Sequence, residues 1–371
     1  MKELDSAGHL PVGFGPRLQA VPREWFIPDQ VWVDRQPVDR ASQPDTWLHA
    51  VYSNTVIVTQ FDDGRTHWPE VGEVPTCSAS MPSAVAGMLH HLDVEDGQSV
   101  LEIGTGTGFN AALLADMVGP GGSVITVEVD PILAATAQDR LARAGFDRVR
   151  SVVGDATTGI FESAPFDRVI CTASVQLGRV PYAWVDQTKP GGVIVTPVRA
   201  DLTSGPLVRF IVDQGGAATG RMTPLGVEFM EVRSQRTVKT PDDNFDWHDD
   251  TADQKITRIR PWLMFSDFIS RWALAVALPS CRYDMADNEF VWLRDPVSGS
   301  WASVVPIDNG NLLVRQKGIR RLWDEAEAAY RWWIGEGRPV GPDWVWTITP
   351  QRQTIQLDGD CQLAPVSRPR P

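Results

Sequence analysis

Between residues 80 and 200 the chain alternates short apolar runs with longer amphipathic ones. "SVLEI" (99–103), "SVITVEV" (123–129), "VRSVVGD" (149–155), "FDRVICTAS" (166–174) and "GGVIVTPV" (191–198) are rich in β-branched residues and read as buried strands. "MPSAVAGMLHHL" (81–92) places Val85, Met88 and Leu89 at helical spacing. "NAALLADMV" (110–118) is a helix that stops before Gly119-Pro120. "PILAATAQDRLARAG" (131–145) has Pro131 in its first turn and Gly145 at its end. Strand and helix in alternation predict an α/β fold, a parallel sheet covered by helices on both faces. Ligands on such sheets sit beyond the carboxyl ends of the strands. Gly104, Glu128, Asp155 and Thr172 fall at those ends.

Beyond residue 225 the pattern changes. "TPDDNFDWHDDTADQ" (240–254) is polar and acidic, as in a surface loop or linker. "IRRLWDEAEAAYRWWIG" (319–335) is an amphipathic helix with Leu322, Trp323, Ala326, Ala329, Tyr330 and Trp333 on one face, and "NEFVWLRD" and "DWVWTITP" read as strands. Ten of the fifteen tryptophans lie in this part, where they are expected as core. The expected organisation is an α/β domain over 1–225, with segment 1–75 on its substrate side, and a smaller Trp-rich α+β domain over 226–371 for substrate recognition.

Composition narrows the partners. A chain of 371 residues with 43% apolar content is long enough for two domains. Its net charge of −13 repels phosphate backbones and anionic lipid, so neither nucleic acid nor a membrane is an expected partner, whereas a neutral or basic peptide is. No apolar run approaches the roughly 18 residues of a membrane span, and "MKELDSAGHLPVGFGP" lacks a signal-peptide layout. Cys77, Cys171, Cys281 and Cys361 have no paired spacing, as expected of reduced thiols in a cytoplasm. Six histidines without an HExxH pattern predict no metal site. Nothing in the sequence sets an oligomeric state.

The glycine turn "VLEIGTGTGFNAALLA" (100–115) carries the chemistry. A dinucleotide fingerprint needs G-x-G-x-x-G, but after Gly104 and Gly106 the third position is Phe109, with Gly108 one residue early. Glu102 directly before the turn is wrong for a phosphate and suits a cationic, phosphate-free ligand, which describes S-adenosyl-L-methionine. Glu102, Gly104, Thr105, Gly106 and Gly108 would form the turn, Glu128 would take the ribose hydroxyls, and Asp155 would meet the adenine. The bland alternative makes all of these ordinary strand-end turns.

"VPREWFIP" (21–28), "SMPSAVAGML" (80–89), "VLEIGTGTG" (100–108), "GDA" (154–156), "APFDRVICTAS" (164–174) and "KPGGVIVTPV" (189–198) occur in this order. The set resembles the protein-L-isoaspartate O-methyltransferases over roughly residues 20–200. The resemblance implies a Rossmann-like class I S-adenosylmethionine-dependent methyltransferase. It implies that Ser80 lies beside the transferred methyl group as the catalytic residue, with Ser78, Met81, Thr172 and Ala173 on the acceptor side, and that Glu102, Gly104, Gly106, Glu128, Asp155 and Ala156 contact the cofactor. A carboxylate with an ordinary pKa near ~4 is already a nucleophile at neutral pH, so desolvation and alignment suffice without a general base. Ser80 also has a structural alternative as a helix cap, with Ser78 or Thr76 able to take either role. His90 and His91 are expected as packed or surface residues, and Cys171 as core.

The chain departs from the repair enzymes in three places. Met81 stands where they carry Gln, "LHAVYSNTVIVTQFDDGRTHWPEVGEVPTCSAS" replaces a short Pro-Leu-Pro-Ile-Gly loop, and the Trp-rich tail is additional. These features look more like the actinobacterial homologues that modify ribosomally synthesised peptides (lanthipeptides, lasso peptides, graspetides). The preferred reading is therefore esterification of an Asp side chain in a cyclised precursor peptide, the ester collapsing to aspartimide or isoaspartate. The alternatives are repair of isoaspartyl residues in damaged proteins, methylation of a small molecule or another protein, and a non-catalytic peptide-binding module.

Overall fold

A computed structural model describes residues 10–203, 205–236, 245–247, 249–287 and 289–358. The chain divides into two compact units. The first runs to Val175 and resumes over Pro181–Pro197 and Leu207–Gln235; the second takes in Gln176–Val180, Val198–Pro206 and the chain from Arg236. The boundary falls at Gln235, not at 225. The reason is that Phe229–Val232 hydrogen-bond to Ser174 at a strand end of the first unit: Ser174 N donates to the Met230 carbonyl at 2.7 Å and Val232 N to the Ser174 carbonyl at 2.9 Å.

The first unit opens with α1 (Phe14–Ala20) and a 3₁₀ turn at Arg23–Trp25. Next come β1 (Gln30–Val33), β2 (Gln36–Asp39), α2 (Pro44–Tyr52), β3 (Ile57–Phe61) and β4 (Pro75–Ala79). The four strands form an antiparallel sheet in the order β2-β1-β3-β4. One face, carrying Val31, Val38, Ile57 and Ala79, packs on Trp47, Ala50 and Val51 of α2. The region expected as a long, partly strand-like loop is thus a small folded layer, ending at Ser80.

The α/β series comes next: α3 (Pro82–Leu92), β5 (Ser99–Ile103), α4 (Phe109–Met117), β6 (Ser123–Glu128), α5 (Pro131–Arg143), β7 (Arg150–Val153), β8 (Phe166–Cys171), β9 (Val175–Gln176), α6 (Tyr182–Asp186), β10 (Thr188–Arg199), β11 (Pro206–Val212) and β12 (Ala218–Gly226). The strands of the main sheet within this unit run β12-β11-β10-β8-β5-β6-β7. β5 lies parallel to β6 and β8, β7 to β6, and β10 to β8, but β11 is antiparallel to β10, with Val195 opposite Arg209. The expected wholly parallel sheet is therefore mixed. No helix separates β10 from β11, and only an antiparallel pair can be joined by so short a connection. Leu18, Leu89, Leu92 and Leu114 of the helices pack with Val100, Ile170 and Val195 of the strands in one apolar cluster.

The second unit contains β13 (Asp253–Thr257), α7 (Pro261–Phe265), α8 (Phe268–Ala277), β14 (Arg282–Ala286), β15 (Phe290–Asp295), β16 (Ser300–Pro306), β17 (Leu312–Lys317), α9 (Leu322–Gly335), β18 (Trp344–Ile348) and β19 (Gln353–Leu357). β13-β17-β16-β15-β14 is an antiparallel sheet and β18-β19 an antiparallel hairpin, so the unit is α+β as expected. All six residues assigned to the apolar face of α9 are buried. Trp272, Trp323, Trp344 and Trp346 are core, while Trp262 is half exposed. Of the acidic stretch, residues 240–244 and 248 lie outside the described residues, as does Cys361; Asp253 and Gln254 begin β13 instead of continuing a loop. Among the described residues no helix is long and apolar enough to cross a membrane.

Core burial sets the expected stability pattern. Leu114, fully buried, should cost about 2–5 kcal/mol when changed to Ala. Ile132, 74% exposed, should cost no more than about 0.5 kcal/mol. Urea unfolding of the two variants checks this, and equal losses would contradict the assignment of the core.

Candidate active site

At the end of β5 the backbone enters the left-handed region, with φ +93° at Gly104 and +53° at Gly106. A Cβ on Gly104 would lie 2.7 Å from Thr172 Oγ1, so this position demands glycine on space as well as conformation. The turn is pinned on three sides: Gly104 N donates to the Val127 carbonyl at 2.8 Å, Thr172 Oγ1 donates to the Gly104 carbonyl at 2.7 Å, and Gly106 N donates to Glu128 Oε2 at 3.0 Å. Gly108 opens α4, packed against Ala137 and Leu141 of α5. Phe109, at the position where a dinucleotide fingerprint would need glycine, is buried and meets the Phe26 ring at 5.8 Å.

Beneath the turn runs a buried polar chain. Asn110 Nδ2 donates to Glu102 Oε1 at 2.7 Å, Thr126 Oγ1 donates to Glu102 Oε2 at 2.6 Å, and the Thr126 and Thr105 hydroxyls are 2.6 Å apart. Burial pushes the Glu102 carboxyl up to about 7, with the Thr126 and Asn110 bonds opposing the rise. The residue pattern alone sets Glu102 against a cationic ligand. The structure instead places it fully inside the sheet with both oxygens engaged, where it braces the turn. The Thr105 hydroxyl is likewise turned inward to Thr126.

The neighbouring strand ends close on this turn. Glu128, nearly buried, accepts from Gly106 N and, at 3.1 Å, from Asp130 N. Gly154 N donates to the Glu128 carbonyl at 2.9 Å, which brings the end of β7 alongside. Asp155 caps the short turn Ala156–Thr158, its Oδ1 accepting from Thr157 N at 2.9 Å and Thr157 Oγ1 at 2.7 Å. Burial raises the Asp155 carboxyl, but the bonds from Thr157 and Ser234 outweigh it and hold the group below the usual carboxylate range. Ala156 is buried, and its carbonyl accepts from Trp184 Nε1 at 2.8 Å.

The acceptor-side residues separate. A Cβ on Gly106 would be 3.6 Å from Cys77 Sγ and 3.9 Å from the Ser78 carbonyl, so β4 lies against the glycine turn, and Ser80 and Met81 follow directly on β4 in the chain. Ser80 does not cap α3. Met81 is the N-cap and makes no side-chain bond, while Asn54 Oδ1 takes the Ser83 N–H at 3.1 Å. Thr76 drops out as a substitute: its hydroxyl donates to Gln60 Oε1 at 2.8 Å and accepts from Asp63 N at 3.0 Å. Thr172 backs the glycine turn through the Gly104 carbonyl, and the Ala173 carbonyl accepts from Cys171 Sγ at 3.1 Å. Cys171 is core, its thiol pushed up to about 12 by burial, and His90 is exposed on α3.

Three features carry no sequence signal of their own. Arg23, inside "VPREWFIP", is fully buried and donates to the carbonyls of Val51 (2.7 Å), Thr55 (3.3 Å), Ala79 (3.1 Å) and Ser80 (2.8 Å). A lone arginine in sequence suggests surface, and only the carbonyls supplied by distant segments make burial tolerable. Asn54 is the second. The third is the segment 229–235, which crosses the strand ends: Arg233 pairs with Asp63 at 3.1 Å and Asp130 at 3.7 Å, and Ser234 Oγ lies 3.5 Å from Thr157 Oγ1.

The chain matches the family model of protein-L-isoaspartate(D-aspartate) O-methyltransferases over residues 26–235. It is 33% identical over 208 residues to a protein-L-isoaspartate O-methyltransferase of Ignicoccus hospitalis, covering 56% of this chain and 83% of that one. To the protein of the same name from Xanthobacter autotrophicus it is 42% identical over 154 residues, 42% of this chain and 65% of the relative. A solved protein-L-isoaspartate O-methyltransferase structure aligns with a TM-score of 0.54 at 20% identity, over 95% of this chain and 97% of the other, which shows a shared fold.

Glu102 gives the site a pH signature. Its carboxyl titrates near 7 in the folded chain and near ~4.3 when unfolded. Between these values the folded state holds a proton the unfolded state has lost, so stability falls as pH rises from about 4.5 to about 7. Glu102→Gln removes the titration, and its Tm should lose that slope. Parallel pH profiles for the variant and the parent would contradict this.

Proposed function

The chain belongs to the protein-L-isoaspartate(D-aspartate) O-methyltransferase family, and from that premise we propose that it methylates the side-chain carboxylate of an isoaspartyl residue in a peptide or protein. As a member it is an S-adenosylmethionine-dependent O-methyltransferase, and the non-catalytic alternative falls away. One observation carries the proposal: β4 lies against the glycine turn at Gly106, so the segment bearing Ser80 adjoins the strand ends where the cofactor would sit.

The residues suit S-adenosylmethionine. Glu128 accepts only backbone N–H groups, and no lysine or arginine pairs with it among the described residues, which leaves a carboxylate suited to ribose hydroxyls. Asp155 and Ala156 would hold the adenine and the Gly104–Gly108 backbone the amino-acid part. When bound, the cofactor supplies an electrophilic methyl group on a sulfonium.

The chain's own contribution is placement. The acceptor carboxylate is ionised at neutral pH and needs no base. The first-turn amides of α3 are already used: Pro82 has none, Ser83 N is bonded by Asn54, and Ala84 N donates to the Met81 carbonyl at 3.1 Å. The Ser80 hydroxyl, free of any capping duty, is therefore the side-chain donor that would hold one carboxylate oxygen and turn the other toward the methyl.

The isoaspartyl acceptor displaces the reading preferred from sequence. The tail no longer separates the two, since a solved structure of an enzyme with the isoaspartate name aligns over 95% of the chain. Tailoring of a constrained Asp in a cyclised ribosomal peptide, with collapse to aspartimide, is the second reading. It is favoured by the folded layer before Ser80, which carries a cavity of about 690 Å³ lined by Gln30, Trp32, Thr59, Gln60, His67 and Trp68 among others.

Two measurements test the proposal. Incubation with S-adenosylmethionine should add a methyl group to a linear isoaspartyl peptide and not to its Asp counterpart; methyl gain or water loss on a cyclised Asp peptide alone would establish the second reading. Ser80→Ala should lower turnover on the order of 10²-fold with cofactor affinity unchanged and stability within about 0.5 kcal/mol. Full activity in the folded Ser80→Ala variant would remove Ser80 from the acceptor site.

A further inference from the structure

Arg23 is a cation buried without an anion. It is 0% exposed, and among the described residues no carboxylate pairs with it; its hydrogen-bond partners are the four carbonyls of Val51, Thr55, Ala79 and Ser80. Burying an uncompensated charge is costly, and filling the same space with an apolar side chain would avoid that cost. Burial lowers the guanidinium to about 10, so it remains charged at neutral pH. The four carbonyls do not scatter. Two belong to the peptides on either side of Ser80, and the other two to the segment around Asn54, which itself bonds Ser83 N. The turn Ser80–Met81 is thus held before and after, by Arg23 and by Asn54.

The Ser80 carbonyl and the Met81 N–H are the two ends of one peptide unit and point in opposite directions across the trans bond. A guanidinium N–H 2.8 Å from that carbonyl polarises the unit, and hydrogen-bonded groups in series strengthen one another. No acceptor among the described residues takes the Met81 N–H. We propose that Arg23 is a positioning residue that presents the Met81 N–H, beside the Ser80 hydroxyl, as a polarised donor for the acceptor carboxylate. The inference rests on the reading that Ser80 faces the acceptor. It also accounts for Met81 at a position where a polar side chain would otherwise be wanted, because the donor is main chain and indifferent to the side chain.

The test compares Arg23→Lys, Arg23→Met and Asn54→Ala with the parent, each checked for folding by its thermal transition. Lysine keeps the charge but not the planar fork, so Arg23→Lys should lose less than Arg23→Met. In Arg23→Met, kcat/KM for the isoaspartyl peptide should fall roughly 10- to 100-fold, while the Kd of S-adenosylhomocysteine stays within about twofold. Should Arg23→Met fail to fold, Asn54→Ala reads the same loss from the far side of Met81, about tenfold in kcat/KM with cofactor affinity unchanged. The Ser80→Ala background separates this inference from the reading beneath it. If Ser80→Ala retains full activity, the assignment of Ser80 fails, whereas a persisting Arg23→Lys defect in that background still reports the Met81 N–H. Variants that melt earlier but keep the parent kcat/KM when folded would overturn the inference, as would a cofactor Kd that rises as much as the acceptor KM.

Discussion

The site depends on a backbone turn that no ordinary residue could make. Gly104 occupies left-handed space with Thr172 Oγ1 where a side chain would begin; its carbonyl is tied to Thr172 after β8, and its N–H and that of Gly106 to Val127 and Glu128 at the end of β6. Burying Glu102, Thr126 and Thr105 below it converts a flexible glycine segment into a fixed one, since a satisfied polar network in a low-dielectric interior has few alternatives. The parallel strands then only have to bring Glu128 and Asp155 to the same edge, and β4 has only to lie against Gly106.

Charge is divided across this arrangement. Carboxylates gather where the proposed cofactor would lie, with Glu128 and Asp130 at the end of β6 and Asp155 after β7, and Arg233 enters the group through Asp130 and Asp63. A sulfonium-bearing, phosphate-free ligand suits that field. The side proposed for the acceptor has the opposite character: a buried guanidinium bonded to the Ser80 carbonyl, and the Ser80 hydroxyl with no capping duty. Under the proposed reading an anionic acceptor and a cationic donor would be drawn to adjoining places, which is what methyl transfer to a carboxylate needs when no general base takes part.

Much of the α/β series is legible in the sequence because its signals are local. The apolar run at 99–103 coincides with β5 to the residue, the periodicity of α9 marks its buried face, and the glycine spacing marks a turn with left-handed backbone at Gly104, Gly106 and Gly108. What fails is long-range. Glu102 looks like a ligand contact because a carboxylate beside a glycine turn gives no hint that Asn110 and Thr126 will enclose it. Arg23 looks unremarkable because its four acceptors come from segments as far away as Ala79 and Ser80. Residues 229–235 (FMEVRSQ) fall past the expected boundary because no strand or helix periodicity ties them to the sheet, while their hydrogen bonds run back to Ser174. The antiparallel β11 is missed because alternation of helix and strand ends after α6, and no short-range pattern marks the reversal.

The most direct test is a crystal structure of the chain with S-adenosylhomocysteine. The account predicts ribose hydroxyls on Glu128, adenine beside Asp155 and Ala156, and the thioether sulfur turned toward Ser80 with room for a carboxylate between them. A ligand whose sulfur faces away from the Ser80–Met81 segment, or one seated elsewhere than the Gly104–Gly108 turn, would contradict it.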